Sequence, residues 1–271
     1  MRPSFSEFSF GFGVSYALQR TLGSYSTAAP IFPSLIQEAR LGYDVKFTTA
    51  GKSLFLQFKR SDALTRSSAK EWTVFGGPYY RFPLYRPRES TQHNRLVALG
   101  TKEPYVYYCA PLFHTLTEFN RLYLSGDLLD NTAAIQTAGL PLLVDNDQHS
   151  VVYDQSLRYQ FRSTPATMGR ALTMKMAIES VVVAVGQLPQ SRLSGPDIRY
   201  LRTLLRLLKD IPAELDEETR DERPSIEVNQ ESTADLVRAI HEISRTWYGA
   251  EWFMIAQIRR GQQRVLRIGP D

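Results

Sequence analysis

Cysteine is almost absent from this sequence, because Cys109 is the only one in 271 residues. A single cysteine excludes an intramolecular disulfide framework and is typical of proteins that fold in a reducing compartment. Cys109 lies within the apolar segment "VYYCAP", where we expect a small buried side chain and not a nucleophile.

Long apolar runs are missing as well. No run of about 18 apolar residues occurs, and such a run is what a membrane-spanning helix requires. The start of the chain lacks the apolar stretch and small-residue cleavage site of a secretory signal. We therefore expect a cytoplasmic protein with no membrane contact.

Several common catalytic motifs are absent. The histidines and the cysteine show no metal-ligand spacing such as HExxH or CxxC, so we expect His114 and His149 to be solvent-exposed or structural. No GxSxG elbow, Walker A sequence or GxGxxG segment occurs. These absences argue against serine hydrolases of that type, nucleotide-driven motors and dinucleotide-dependent enzymes.

The charge balance is mildly basic, with a net charge of +4 and a pI near 9.1. This permits an anionic partner without requiring one. Basic residues cluster over 46–66, 81–95 and 192–209, whereas acidic residues concentrate over 213–227. The acidic, proline-containing stretch 212–228 is the best candidate for a linker.

Length and an apolar fraction of 43% allow one large domain or two modest ones. We expect three parts. An N-terminal segment over 1–29 packs on the core, a core with its extension covers 30–160, and a mostly helical region covers 161–271.

Hydrophobic periodicity and turn residues predict the elements of the core in the order α-β-β-β-α-β. These elements are a helix over 33–42, strands over 43–49, 53–60 and 79–85, a helix over 91–100 and a strand over 105–113. The first two strands are expected to form an antiparallel hairpin. Later elements are a short Thr-capped helix after 113, a strand in "QHSVVYD", a long helix over 165–187, an amphipathic helix in "GPDIRYLRTLLRLLKDI", a helix over 231–245 and a strand over 250–258.

Two polar side chains interrupt the apolar strand "LFLQFK" at residues 54–59. Because side chains alternate along a strand, Gln57 and Lys59 share one face and Phe58 points to the other. One interpretation is an edge strand with a solvated face. The other is a metal-dependent phosphodiester site. Asp44 lies thirteen residues before Gln57, and Glu38 lies on the preceding helix.

The pattern of Glu38, Asp44 and Gln57-Phe58-Lys59 on this element order resembles the PD-(D/E)XK nuclease superfamily, and most closely its Mrr-type restriction enzymes with a QxK motif. The resemblance covers residues 33–112. It implies an α/β, restriction-endonuclease-like core and Mg²⁺-dependent hydrolysis of DNA, with Mn²⁺ as a substitute.

The resemblance also implies roles for the individual residues. Asp44 would be the central metal ligand, Glu38 the second carboxylate, and the backbone carbonyl of Phe58 a further ligand. Lys59 would orient the attacking water or stabilise charge on the phosphate. Gln57 is a neutral amide and thus a weaker metal ligand than a carboxylate, which leaves a weakly active or inactive nuclease-like protein as the alternative.

Further residues are candidates for contact with nucleic acid. Gln92 and His93 begin the helix after the third strand, where unpaired N–H groups attract phosphate, although a simple capping segment is the alternative. Arg60 and Arg81 flank the proposed site in sequence. The cationic stripe Arg199, Arg202, Arg206 and Lys209 could bind phosphates or be a solvated helix face.

The expected function is a DNA endonuclease of bacterial defence against foreign DNA. By the logic of such nucleases one catalytic centre cuts one strand, so duplex cleavage implies at least a dimer, that is, a homo-oligomer. The resemblance also implies a partner protein, for example an ATPase. The competing interpretation is a nuclease-like scaffold or nucleic-acid-binding subunit of a larger assembly.

Overall fold

The computed structural model describes residues 1–22, 51–162, 165–187, 198–215, 233–248 and 251–256. Within these ranges the chain is a mixed α/β protein with seven helices and ten strands. The helices are α1 (Glu7–Leu22), α2 (Trp72–Phe75), α3 (Gln92–Lys102), α4 (Leu116–Ser125), α5 (Met174–Gly186), α6 (Ile198–Leu215) and α7 (Thr233–Tyr248). The strands are β1 (Gly51–Phe58), β2 (Asp62–Leu64), β3 (Tyr79–Pro83), β4 (Val106–Pro111), β5 (Thr132–Gln136), β6 (Ser150–Tyr153), β7 (Arg158–Arg162), β8 (Thr167–Arg170), β9 (Leu172–Thr173) and β10 (Glu251–Ala256).

The first sheet has the strand order β10-β1-β4-β5-β9. β1 pairs in parallel with β4, and the other pairs in this sheet are antiparallel. A parallel pair needs a crossover connection, and the crossover between β1 and β4 contains α3. The crossover also contains β2, α2 and β3, which is why it is longer than a simple strand-helix-strand unit.

The second sheet has the strand order β2-β3-β6-β7-β8, and all of its pairs are antiparallel. Its inner face packs against the first sheet through aromatic side chains such as Phe82, Tyr153 and Phe161. The predicted strand 79–85 is confirmed as β3, and it lies inside this second sheet, between β2 and β6. Pro83 does not exclude it from a ladder, because it lies at the last position of the strand.

Alternation along β1 and β4 divides the apolar side chains between two cores. Phe55 and Tyr108 point into the first core, which lies between the sheets and also receives α3, α6 and α7. Leu56 and Cys109 point into the second core, which α1, α4 and α5 cover. β1 is thus covered on both faces.

Several predicted elements are confirmed. α3 matches the predicted helix 91–100, and β6, α7 and β10 match predicted elements. α4 begins with a capping box, in which the Thr115 hydroxyl accepts from the Glu118 backbone N–H and the Glu118 carboxylate accepts from the Thr115 backbone N–H. α6 buries Leu201, Leu204 and Leu208 and exposes Arg202.

Other predicted boundaries were wrong. The long helix over 165–187 begins only at Met174, because β8 and β9 precede it. Gly169 in β8 lies against the ring of Tyr159, where a Cβ would come within 2.3 Å of that side chain. α1 has 16 residues and lies within the N-terminal segment 1–29.

The predicted hairpin of 43–49 with 53–60 is described only for its second strand, which is β1. The segment 43–49 and the helix 33–42 lie outside the described residues. The antiparallel neighbour of β1 is β10, which pairs with Gly51–Leu56, and β4 pairs with Phe55–Phe58 on the other edge. α6 extends to Leu215, so the predicted linker 212–228 begins in a helix, and its remainder lies outside the described residues.

None of the helices in the described ranges is long and apolar enough to cross a lipid bilayer.

Candidate active site at the end of strand β1

Gln57 and Lys59 lie on the same face of the chain at the end of β1, as the alternation predicts. Phe58 points the opposite way, where its ring makes an edge contact with Phe10 at 6.0 Å between centroids. The polar face is not solvated, because Gln57 is 5% exposed and Lys59 is 8% exposed. The interpretation as an edge strand with one solvated face was therefore wrong.

The Lys59 ammonium lies between two tyrosine rings. Its Nζ is 5.8 Å from the ring centroid of Tyr108, which is buried, and 5.8 Å from that of Tyr85, which is 61% exposed. The Lys59 backbone N–H donates to the Cys109 carbonyl at 2.8 Å, which extends the parallel ladder to this residue. Tyr85 therefore marks the solvent side of the site and Tyr108 the interior side.

Burial dominates the electrostatics of Lys59. Desolvation lowers the pKa of the ammonium from its ordinary value, and the charge of Glu7 acts in the opposite direction. The ion pairs between described residues do not include Lys59. A cation held in an apolar, aromatic environment loses its proton more easily than a surface lysine does.

Gln57 makes one hydrogen bond with another described residue. Its Nε2 donates to the Oε1 of Gln92 at 2.6 Å. Its own Oε1 is buried and has no partner in the part of the chain that the structure describes. A buried amide oxygen without a partner is costly, and this atom can accept a hydrogen bond or coordinate a cation.

His93 has a position different from the one expected. Its Nε2 lies 2.9 Å from the Pro141 carbonyl, which can only accept, so Nε2 carries the proton. Its Nδ1 then accepts from the Tyr108 hydroxyl at 2.9 Å. Burial lowers the pKa of His93 to about 4, so the ring is neutral near pH 7. A buried neutral ring with both nitrogens bonded supports Tyr108 and does not contact phosphate.

Arg60 and Arg81 are placed differently from each other. Arg60 is exposed directly after Lys59, and its backbone N–H donates to the Glu7 carboxylate at 3.0 Å. Arg81 is half-buried in the second sheet, opposite Asp62. Arg60 is thus adjacent to Lys59 in the chain, whereas Arg81 belongs to the second sheet.

Glu7 is a candidate that the sequence analysis missed. It lies in the first turn of α1, and its charge acts on Lys59. It is 53 positions before Arg60 in the sequence, and no spacing rule connects the two. Only the packing of α1 beside β1 brings this carboxylate to the site.

Besides the Glu7 carboxylate, the described part of the site offers the Oε1 of Gln57 as an oxygen that suits a divalent cation. An amide oxygen is a hard, neutral ligand of the kind that Mg²⁺ and Mn²⁺ accept. No group of three or more His, Cys, Asp or Glu side chains with ligating geometry occurs among the described residues. Glu38 and Asp44, from which the sequence analysis expects the carboxylate ligands, lie outside those residues.

The remaining candidate residues have structural roles, as expected. His149 is buried and bonds the Asp145 carboxylate at 2.6 Å, and His114 lies 3.7 Å from Glu118. Cys109 is fully buried, and burial raises the pKa of its thiol, so it is not a reactive thiolate.

Comparisons of this chain with protein-family models, with curated proteins and with solved structures found no match. Conclusions about its function therefore depend on the chemistry of the residues around Lys59.

Proposed function

We propose that this chain is a metal-dependent endonuclease that hydrolyses phosphodiester bonds of DNA, built on a restriction-endonuclease-like core. One observation supports this proposal most directly: a buried lysine with a lowered pKa lies beside a buried glutamine whose oxygen has no partner among the described residues. Titratable groups whose pKa is shifted by burial are enriched at functional sites.

The chemistry follows from the groups themselves. A bound Mg²⁺ or Mn²⁺ ion would polarise the phosphate and lower the pKa of a coordinated water. Gln57 would hold that ion through Oε1, together with the Phe58 carbonyl, Asp44 and Glu38 that the resemblance implies. Lys59 would donate to the phosphate oxygens and stabilise the charge that develops there.

The surroundings of Lys59 suit this role. The aromatic rings exclude water from the ammonium without neutralising it, since a ring face attracts a cation but forms no ion pair. A cation in a water-poor site interacts more strongly with a phosphate than a surface lysine does. Tyr85 and Arg60 stand on the exposed side, where a DNA backbone would approach.

The wider function is proposed from the resemblance. Such nucleases act in bacterial defence, and cleavage of both strands would require a homo-oligomer or a partner protein, for instance an ATPase. The second candidate is a nuclease-like scaffold that binds nucleic acid without turnover. The neutral side chain of Gln57 favours it, because replacing a carboxylate by an amide removes one negative charge from a cation site.

A cleavage assay tests the proposal. Purified protein is incubated with plasmid and with single-stranded DNA, in Mg²⁺, Mn²⁺ or chelator. We expect chelator-sensitive cleavage that Lys59→Ala and Asp44→Ala abolish and that Lys70→Ala, at an exposed lysine, leaves unchanged. Cleavage that survives Lys59→Ala would overturn the proposed site. No cleavage with either metal, while DNA binding persists, would favour the scaffold.

A further inference from the structure

Tyr85 lies on the solvent side of the Lys59 ammonium. The ammonium lies over one face of the ring, with Nζ 5.8 Å from the ring centroid. Tyr85 is 61% exposed, whereas Lys59 is 8% exposed. From the outside inward, the site therefore presents a ring on which a flat group can stack and then a cation that a ligand reaches only by entering past the surface.

The separation of these two contacts matches the repeat of a nucleic-acid strand. Successive nucleotides of a DNA strand rise by about 3.4 Å. The 5.8 Å between the Lys59 Nζ and the Tyr85 centroid is less than two such steps. A phosphate at Lys59 therefore places its own base, or the base of the adjoining nucleotide, within reach of the Tyr85 ring.

Stacking on Tyr85 requires a base with an uncovered face. Within a duplex the neighbouring bases cover both faces, and taking a base out of the stack costs free energy that an unpaired base does not cost. Duplex DNA is also stiff, with a persistence length of about 150 base pairs, so its backbone resists the sharp bend that would bring a phosphate to a covered ammonium. A single strand bears neither cost.

The backbone on both sides of Tyr85 is held by hydrogen bonds. The Leu84 backbone N–H donates to the His149 carbonyl at 3.0 Å. The Arg88 backbone N–H donates to the Asn146 side-chain carbonyl at 3.4 Å. The segment that carries the ring is therefore fixed before any ligand binds, which lowers the entropy cost of binding there.

Arginine residues adjoin both members of the pair in the chain. Arg60 follows Lys59 directly, and Arg86 and Arg88 follow Tyr85. None of the three arginines forms an ion pair with another residue in the part of the chain that the structure describes. Aromatic rings for stacking, set among cations that follow the backbone, are typical of proteins that bind single strands without reading their sequence.

We propose that this site takes an unpaired nucleotide of single-stranded DNA, with the phosphate at Lys59 and a base stacked on Tyr85, in preference to intact duplex DNA. The inference rests on the proposed function, from which it takes DNA as the ligand. The two contacts themselves need no metal ion. The preference for the single strand should therefore persist in chelator.

A competition titration in chelator measures this preference. A fluorescein-labelled single strand is bound to the full chain and displaced by the unlabelled strand, by its blunt duplex, or by the same duplex with a single-stranded gap. Tyr85→Leu keeps an apolar side chain without a ring, and Tyr85→Trp keeps a ring. Leu124→Ala, at an 81% exposed apolar residue of α4, is the matched control. Thermal unfolding checks that each variant is folded.

We expect the single strand and the gapped duplex to compete about tenfold better than the blunt duplex. Tyr85→Leu should remove most of this difference by weakening single-strand binding, whereas Tyr85→Trp and Leu124→Ala should retain it. Three results would overturn the inference: a blunt duplex that competes as well as the single strand, a Tyr85→Leu variant that weakens both forms by the same factor, or no binding of the single strand by the wild-type chain.

The cleavage assay with Mg²⁺ or Mn²⁺ distinguishes this inference from the proposed function. A Tyr85-dependent preference for the single strand without any cleavage would sink the nuclease and leave the single-strand site intact. Cleavage that depends on Lys59, by a chain that binds both forms of DNA equally, would do the reverse.

Discussion

Gln57 and Tyr108 lie directly opposite each other in the parallel strands β1 and β4, and consecutive residues of α3 hold them. Gln92 bonds Gln57 and His93 bonds Tyr108. Since paired residues of parallel strands point to the same face of a sheet, a single helix start can fix both side chains. The ring of Tyr108 in turn lies against the Lys59 ammonium. The geometry of the candidate site thus depends on how α3 sits on the first sheet.

The pH dependence of stability should reveal the buried neutral state of His93. Its pKa is about 4 in the folded protein and 6.5 in the unfolded chain, so the unfolded state binds more protons between these values. The contribution of His93 to stability is therefore complete above pH 6.5 and is lost as the pH falls to 4. The difference between these two pKa values corresponds to about 3 kcal/mol in the free energy of unfolding.

Urea unfolding of wild type and His93→Gln across this range measures the effect. The difference in unfolding free energy between the two proteins should shrink as the pH falls, because only wild type must protonate a buried ring. Burial also lowers the pKa of His241 to about 4. His241 and the carboxylates are present in both proteins, so their titration cancels in the difference. If the unfolding free energy changed with pH in the same way in both proteins, His93 would not be a buried neutral ring.

Glu103 should make stability depend on pH in the opposite direction from His93. It follows α3 near Lys52 and Tyr200, and burial raises the pKa of its carboxyl to about 7. The folded state therefore binds more protons than the unfolded chain between pH 4.5 and 7, and stability falls as the pH rises through this window. Glu103→Gln should be more stable than wild type at about pH 8 and similar to it at about pH 4. A variant less stable than wild type at both pH values would refute this.

Tyr85 should contribute to binding of single-stranded DNA if the proposed function is correct. Its exposed ring beside Lys59 is available for stacking on a base, and such stacking contributes about 1–3 kcal/mol. Tyr85→Ala should weaken binding about tenfold in a fluorescence anisotropy titration in chelator, and Tyr85→Phe should not. Tyr16→Ala, at an exposed tyrosine on α1, serves as the control. Equal affinities for wild type and Tyr85→Ala would exclude a stacking role.

Gly100 should not tolerate a side chain. A Cβ at this position of α3 would lie 2.3 Å from the Thr137 hydroxyl and 2.8 Å from the Ala138 backbone nitrogen. Because backbone cannot move aside cheaply, Gly100→Ala should destabilise the fold by about 1–3 kcal/mol in urea unfolding. Gly77→Ala, where a Cβ meets nothing within 4 Å, should change stability little. A neutral Gly100→Ala would mean that α3 can shift away from Thr137.

The candidate site was predictable from the sequence only in part. Strict alternation placed Gln57 and Lys59 on one face, because strand geometry is local. The segment of Gln92 and His93 was also identified, but its roles were not, since a phosphate contact and a buried hydrogen bond begin from the same residues. Glu7 was missed entirely, because helix packing joins positions that no local pattern relates.

The fold, too, was predictable only where the signal lies in neighbouring residues. Capping residues and 3.6-residue periodicity predicted α3, α4 and α6 correctly, since both signals lie within a few neighbouring residues. Strand pairing was less predictable: β3 belongs to the second sheet, and β10 pairs with β1 from the far end of the chain. Register and sheet membership depend on which distant apolar faces are buried together, and β-patterns do not encode this.

The sequence by itself determined which side chains share a face at the end of β1: an amide and an ammonium on one side, an aromatic ring on the other. Tertiary structure alone decided that this polar face is buried. It also decided that Gln92 accepts from Gln57, that two tyrosine rings surround Lys59 and that its pKa is lowered. The physical reason is that side-chain direction follows from local backbone geometry, whereas desolvation depends on whatever packs on top.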